Sequence, residues 1–285
     1  MAFAEKQLSV QFSLANGQFS GGGNSASISG LRIACQIEAT AGASQSTMEM
    51  AIYGMDLSLM NQLTVIGPQL NQRYKNGVDV FATDENGTAL VFSGVVFTAY
   101  LDGQSMPETC LRVIASPGAF ESVNPLKPIS IQGSADAAGL MSQIAGLMGL
   151  SFQNNGVSVK LSNPYYAGST WEAALEIAEH GNFDVAIDRK TMIISPRGTP
   201  DSGDPITLSA ANGSLVGYPS FVESKVIIKA LFNSAVKLLG KIQIDSALAA
   251  ASGAWQVSRI SYDLESTTPR GNWFMNLEAI RPGTQ

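Results

Sequence analysis

The chain of 285 residues has a formal charge of −6 and an isoelectric point near 4.8. Its Lys and Arg residues stand mostly singly, as at Arg32, Arg73, Lys75 and Arg112, so no basic cluster exists to hold phosphates and nucleic-acid recognition is excluded as its main task. Charged residues make up only 14% against roughly 25% in ordinary soluble domains, which predicts a surface that is neutral and polar or covered by partners.

From residue 1 to 115 the pattern reads as β structure with one helical interruption. Gly21, Gly22, Gly23, Asn24 and Ser25 form a loop between the first two strands. Leu31, Ile33, Cys35 and Ile37 alternate with Arg32, Ala34, Gln36 and Glu38, the period of a strand with one buried face, and Met48, Met50 and Ile52 continue it on the next strand. Asp56 caps a short helix that reaches about Val65, with Leu59, Met60 and Leu63 on one side. Val78 to Ala82 and Leu90 to Tyr100 flank Asp84-Glu85-Asn86-Gly87, whose Asn-Gly pair closes a hairpin, and a strand from Thr109 to Ala115 ends the domain. Cys35 and Cys110 fall inside these alternations and in no metal-ligand spacing, which predicts buried reduced thiols.

Residues 116 to 198 change rhythm. Pro117, Pro125 and Pro128 mark a connection. Ser134 opens a helix with Leu140, Ile144, Leu147 and Met148 at helical spacing, and Gly149 closes it. Ser169-Thr170-Trp171-Glu172 reads as a capping box; Trp171, Leu175 and Ala178 form the apolar stripe behind it, and Gly181 a left-handed stop. Phe183 to Ile187 and Met192 to Ser195 form a hairpin whose tip holds Arg189 and Lys190. The Pro, Gly and Asp-rich stretch from Pro196 to Pro205 is a boundary, so that 199 to 285 is a third domain with strands over 226–232, 241–244, 253–264 and 272–279. In the last strand Trp273, Met275, Leu277 and Ala279 face one way and Phe274, Asn276, Glu278 and Ile280 the other, which predicts burial on both sides.

Val78 to Ala115 also lies without a gap on Gly240 to Leu277 at a constant offset of 162 residues. Val80 and Ala82 fall on Ile242 and Ile244, Val95 on Val257, Tyr100 on Tyr262, Pro107 on Pro269, and Leu111 and Val113 on Trp273 and Met275; Asn71 and Lys75 fall on Asn233 and Lys237. The pattern predicts one β unit carried twice, so that three chains would present six similar units.

The supply of reactive residues argues against an enzyme. The single histidine, His180, sits on the last turn of a predicted helix, where a cationic ring suits the helix dipole. Gly213-Ser214-Leu215-Val216-Gly217 lacks the spacing of a nucleophile elbow, and no phosphate-binding glycine loop precedes a helix. Glu172, Glu176 and Glu179 share one helix face, the pattern of a solvated row, with Asp184 and Asp188 as further acids. No cofactor or metal is expected. No run of about 18 apolar residues and no leader-like N-terminus occurs, so neither a membrane span nor a secretory signal is predicted, and the chain is expected to be made and kept soluble in a cytoplasm.

Several short runs carry a resemblance. Met48-Glu49-Met50-Ala51-Ile52-Tyr53-Gly54-Met55 with Met60-Asn61-Gln62-Leu63, then Gly217-Tyr218-Pro219, Leu231-Phe232-Asn233, and Gly253 to Val257 with Trp255, resemble baseplate hub proteins of contractile-tailed bacteriophages. The closing Pro269-Arg270-Gly271-Asn272-Trp273-Phe274 is similar to that family's Pro-Gly-Gly-x-Trp ending, with Arg270 departing at the second position. The resemblance implies a mainly β chain with an inserted α/β domain, two similar β-barrel domains of tail-tube type, and a homotrimer forming a pseudo-sixfold ring. It implies a symmetry adaptor and DNA conduit at the virion tail, assembled in the host cytoplasm, between the hexameric tail tube or its initiator and the trimeric cell-puncturing spike. Baseplate wedge proteins and the C-terminus of the tape measure are further implied contacts, with no membrane binding by the chain itself and DNA only as passing cargo. Type VI secretion spikes share this build in their N-terminal half. Asp79, Asp84, Glu85, Asp102 and Asp245 are candidates to line the channel. A hub-associated peptidoglycan hydrolase and another tail-tip adaptor stay open as alternatives.

Overall fold

The computed structural model describes residues 6–20, 22–42, 44–64, 75–104, 106–200 and 203–283. Strands account for 49% and helices for 13%, so the protein is mainly β. It divides into two compact units: Met1–Glu38, Ser46–Phe120 and Tyr262–Phe274 form the first, and Ala39–Gln45, Glu121–Ser261 and Met275–Gln285 the second. Gly21 of the expected first loop, Val65 at the end of the expected first helix, Asn71 of the repeat and the single basic residue Arg73 lie outside the described residues.

The first unit is an antiparallel sheet. Its elements are β1 (Gln7–Ser13), β2 (Ser25–Ile28), β3 (Ile33–Thr40), β4 (Thr47–Tyr53), α1 (Leu57–Leu63), β5 (Gly77–Asp84), β6 (Gly87–Asp102) and β7 (Cys110–Ser116), in the order β3-β4-β7-β6-β5-β1-β2. Register explains why the sequence alternates. Ile33 faces Ile52 and Ile52 faces Leu111; Cys35, Met50 and Val113 make a second row, and Ile37, Met48 and Ala115 a third. Every one of these nine side chains is buried, so three strands place their period-two residues in one apolar layer. Asp56 caps α1 by accepting from the Ser58 and Leu59 amides, and Met60 and Leu63 are its buried side. The Asp84 to Gly87 hairpin forms as the sequence predicts, with Gly87 at φ +112.

The second unit begins with α2 (Ala119–Val123), which straddles the division, and continues through β8 (Ile129–Ser130), β9 (Ser134–Asp136), α3 (Ala137–Met148), β10 (Ser151–Asn154), β11 (Lys160–Ser162), β12 (Tyr165–Tyr166), α4 (Thr170–His180), β13 (Phe183–Asp188) and β14 (Thr191–Pro196). The two helices and the β10-β14-β13 sheet enclose a core of their own, built around Met141, Ile144, Ile177, Met192 and Ile194. Then follow β15 (Ile206–Ser209), β16 (Ser220–Val222), β17 (Lys225–Leu231), β18 (Lys241–Asp245), β19 (Gly253–Ser266) and β20 (Trp273–Ile280), paired in the order β16-β17-β20-β19-β18-β15. Among the described residues the pairing closes no barrel.

Several local expectations shift. Ser134 lies in β9, paired with Ser162 of β11, and the cap of α3 is Asp136, whose carboxylate accepts from the Gly139 amide at 2.8 Å; the strand holds Ser134 two residues short of the helix, and Asp136 is the capping-type residue next to its first turn. Leu147 is 64% exposed, because α3 buries only the face of Leu140, Met141, Ile144 and Met148. Gly149 does end α3 left-handed at φ +73. Gly181 does not end α4 that way: it stays helical at φ −86, and the left-handed residue is Asn182 at φ +53. In β20 Trp273, Met275, Leu277 and Ala279 are buried as predicted. The opposite face remains partly open, and there Glu278 pairs with Lys225 at 3.1 Å and Arg259 at 3.4 Å.

The two segments related by the offset of 162 residues can be compared strand by strand. β5-β6-β7 and β18-β19-β20 are both three-stranded meanders with a long middle strand. Val80 and Ala82 are buried like Ile242 and Ile244, and Leu111, Val113 and Ala115 like Trp273, Met275 and Leu277. Gly77 pairs with Val95, and at the related positions the Leu239 amide donates to the Val257 carbonyl at 2.9 Å. Tyr100 and Tyr262 break the match, one 41% exposed and the other 3%. A bulge between Val96 and Thr98 adds a residue to β6 and flips the faces beyond it.

Candidate interaction surfaces

The motif residues gather at one place in each unit. In the first, Tyr53 ends β4 and its amide donates to the Arg32 carbonyl at 3.0 Å. The Arg32 guanidinium lies 4.2 Å from the Tyr53 ring centre and reaches Glu108 at 3.1 Å, a stacked cation on a strand end. Gly54 follows at φ +74 and turns the chain into α1. The Leu31 carbonyl beside them accepts from the hydroxyls of Ser266 and Thr267, each at 3.1 Å, which ties down the turn carrying Pro269. Arg270 in that turn is left-handed at φ +60, a conformation that explains the glycine the resemblance implies there. Gly271 is required by space: a Cβ would sit 2.9 Å from the Glu265 Cβ and 3.1 Å from its carbonyl oxygen. Trp273 is buried at the start of β20, with the Lys6 ammonium 6.0 Å from its ring.

These elements border a concave face of about 290 Å³ on the first unit, where Glu49, Tyr53, Tyr100, Arg112, Asp263 and Glu265 stand around Cys35. Three acids against one base make it acidic. Asn272 bridges two of them, its side-chain amide donating to Asp263 at 2.8 Å and its backbone amide to Glu265 at 3.1 Å. Arg112 is drawn to Asp102 at 3.3 Å. Burial pushes the Cys35 thiol up to about 12, with the Asp263 charge adding to it, and the Cys110 thiol is also raised, chiefly by desolvation. Both cysteines are free and buried. Sequence reading missed this concavity, since its acids are spread over 216 positions of chain and only pairing of the strands brings them together.

In the second unit Gly217 turns at φ +73, Pro219 is buried, and Tyr218 between them is 75% exposed. Trp255 is buried and donates its indole N–H to the Ala251 carbonyl at 2.8 Å. The Phe221 ring lies 6.4 Å from it, and the Arg281 guanidinium 5.1 Å from its centre while donating to the Ala250 carbonyl at 2.8 Å. Tyr218, Phe221, Trp255 and Arg281 are the residue types that dominate the energetic centres of protein interfaces.

The acids considered for catalysis hold structural posts. Glu172 completes the capping box, donating nothing and accepting from the Ser169 amide at 2.8 Å, and that bond holds its carboxyl below the usual range. Glu176 and Glu179 are exposed. Burial raises the Asp184 carboxyl, opposed by Arg197 at 3.9 Å. Burial likewise raises Asp188, opposed by Arg189 at 3.6 Å and by Lys237. His180 accepts or donates at Nδ1 to the Tyr166 hydroxyl, 3.2 Å away, at the end of α4. Among the described residues no group of three or more His, Cys, Asp or Glu side chains is placed to hold a metal, and no helix is long and apolar enough to cross a membrane.

Solved structures of similar fold include tail proteins and a type VI secretion component. A tail protein from Neisseria meningitidis MC58 superposes with a TM-score of 0.67 at 10% identity, covering 98% of this chain and 97% of that one. The 43 kDa tail protein of prophage MuSo2 from Shewanella oneidensis gives 0.62 at 9%, with 96% of each chain covered. The E. coli c3393 protein, a component of the type VI secretion system described as structurally similar to T4 tail proteins gp27 and gp5, gives 0.59 at 10%, covering 89% of this chain and 74% of its own. No curated protein matches the sequence. The family described as Baseplate hub gp41 matches residues 8–277, and the chain therefore belongs to that family of structural proteins of the phage tail baseplate.

Proposed function

We propose that three copies of this chain form a ring at the end of the tail tube, each copy offering two similar β modules, so that six related surfaces meet a hexameric tube while a trimeric spike is held on the other side. The observation that carries this reading is the recurrence of the β5-β6-β7 meander in β18-β19-β20 at one constant offset, with matching buried positions. Domains over 1–115, 116–198 and 199–285 fit it, the middle one supported by the separate core around α3 and α4. The tube or its initiator protein and the spike are the principal partners, with wedge proteins and the tape measure at the periphery. The ring is a passive conduit for DNA: Asp79, Asp84, Glu85, Asp102 and Asp245 all remain at least partly exposed, and an acidic wall does not retain phosphates.

Native mass spectrometry tests the ring. Three copies are expected; six or twelve would mark another tail-tip adaptor. The purified protein is expected to leave cell walls intact. Clearing of walls that is lost on Glu176→Gln would instead establish a hydrolase.

A further inference from the structure

Five Asn-Gly pairs occur in the chain, at Asn16-Gly17, Asn76-Gly77, Asn86-Gly87, Asn155-Gly156 and Asn212-Gly213. Asparagine is a chemically labile residue. In such a pair the backbone nitrogen of the glycine can close on the side-chain carbonyl carbon of the asparagine, an attack favoured by proximity and unobstructed by a Cβ. It requires a glycine amide free of hydrogen bonds and an asparagine side chain free to turn, and the fold grants these unequally.

Asn76 accepts from the Ala15 amide at 3.1 Å, and Gly77 lies inside β5, paired with Ser13 and Val95. Asn155 accepts from Gln153 at 2.9 Å, and the Gly156 amide donates to Asn154 at 3.0 Å. Asn212 accepts from the Ser209 and Ser214 amides at 3.3 and 3.0 Å, and the Gly213 amide donates to the Ala210 carbonyl at 3.2 Å. Gly87 is paired with Asp84 where the hairpin closes. Asn16 and Gly17 differ from all four. They are exposed in the loop between β1 and β2, and among the described residues neither the Asn16 side chain nor the Gly17 amide has a hydrogen-bond partner. The Ala15 amide and the Phe19 amide, which donates to the Gly23 carbonyl at 2.9 Å, pin the chain on either side of them. A Cβ built on Gly17, at φ +94, would meet nothing within 4 Å, so there is room for a ring to form.

We propose that Asn16 is a site of spontaneous covalent modification, converted by its own backbone and water to aspartate and isoaspartate. The Gly17 nitrogen bonds to the Asn16 side-chain carbonyl carbon, the bond from that carbon to the side-chain nitrogen breaks, and ammonia leaves carrying the proton of the Gly17 amide. Water then adds to either carbonyl of the five-membered imide and reopens it, leaving a carboxylate where a neutral amide stood. Nothing is oxidised or reduced. The isoaspartate product routes the backbone through the former side chain, lengthening the β1–β2 loop by a methylene. The inference is independent of the ring reading above.

The test holds the folded full-length protein at mildly alkaline pH, which helps the Gly17 nitrogen shed its proton, beside a sample unfolded in urea, and maps both by mass spectrometry over time. In the folded protein the peptide carrying Asn16 is expected to convert first, to both aspartate and isoaspartate, taking up heavy oxygen from labelled water. In urea all the Asn-Gly peptides are expected to convert together, because the protection given by the fold is gone. Asn16→Gln, at an exposed position, is expected to lose the early acidic form seen on isoelectric focusing. Folded protein in which Asn16 lags behind another Asn-Gly pair, or stays intact while the unfolded sample converts, overturns the proposal. Aspartate at position 16 with no isoaspartate overturns it as well, since direct hydrolysis passes through no imide.

Discussion

At the scale of single residues, Arg270 and Gly271 show how one turn divides its demands. Arg270 occupies a left-handed backbone without the freedom of glycine, at a cost of order 1 kcal/mol. Arg270→Gly is therefore expected to raise stability by about 0.5–1 kcal/mol in urea unfolding, reduced by the entropy glycine adds to the unfolded chain. Gly271→Ala is expected to lose about 1–3 kcal/mol, because the added methyl meets backbone and Cβ atoms that cannot swing away. Arg189 makes a second case. It donates to the Ser234 carbonyl at 2.6 Å and stands beside the largely buried Asp188. Arg189→Ala leaves that carboxylate with Lys237 as its remaining basic neighbour and is expected to cost about 1–3 kcal/mol at neutral pH. The folded-state carboxyl is raised above its unfolded value, so its contribution is full below the unfolded pKa and is lost as pH rises through the folded one. The Arg189→Ala deficit should accordingly shrink on acidification, as denaturation midpoints from neutral pH downward would record. Sequence alone marked Arg189 as a hairpin tip; its anchoring to Ser234, 45 residues away, depends on tertiary contact and left no local trace.

At the scale of elements, local signals proved legible at the capping box and the hairpin, whereas at Ser134 and Gly181 a residue one or two positions away took the expected post. The capping box at Ser169 and Glu172 forms both of its hydrogen bonds, at 3.2 and 2.8 Å. Ser169→Ala is expected to lower stability by about 1 kcal/mol. Because the folded Glu172 carboxyl is depressed, the support it gives is present above the unfolded pKa and fades as pH falls through the folded one, visible as loss of helix signal in acid. The buried faces of β3 and β4 and the Asp84 to Gly87 hairpin were equally readable from alternation and turn residues. The parallel pairing of β15 with β18, the two- and three-residue strands β8, β9, β11 and β12, and the Val96 to Thr98 bulge were not. Each of these is decided by a partner strand distant in sequence, and none has the length to print a period. The bulge also shows why a repeat aligned without gaps misassigned one tyrosine pair: an inserted residue reverses inside and outside without changing the composition.

At the scale of the whole molecule, the scarcity of charge fits a chain that functions inside an assembly. Native mass spectrometry is expected to give three times the 30.0 kDa of one chain, and that mass should persist when salt is raised, because a chain with so few charged residues offers little for salt to screen. The family was legible in the order of weak motifs, since those motifs are turns, buried tryptophans and strand ends that the fold itself requires. The acidic concavity and the Tyr218 patch were not, because a surface is a property of neighbours in space.

The thiol of Cys35 remains protonated far above neutrality, sealed within a layer of Met50 and Val113. A sulfur held as the neutral thiol and out of solvent is a poor nucleophile, so thiol-reactive probes should label it only once the sheet around it is opened.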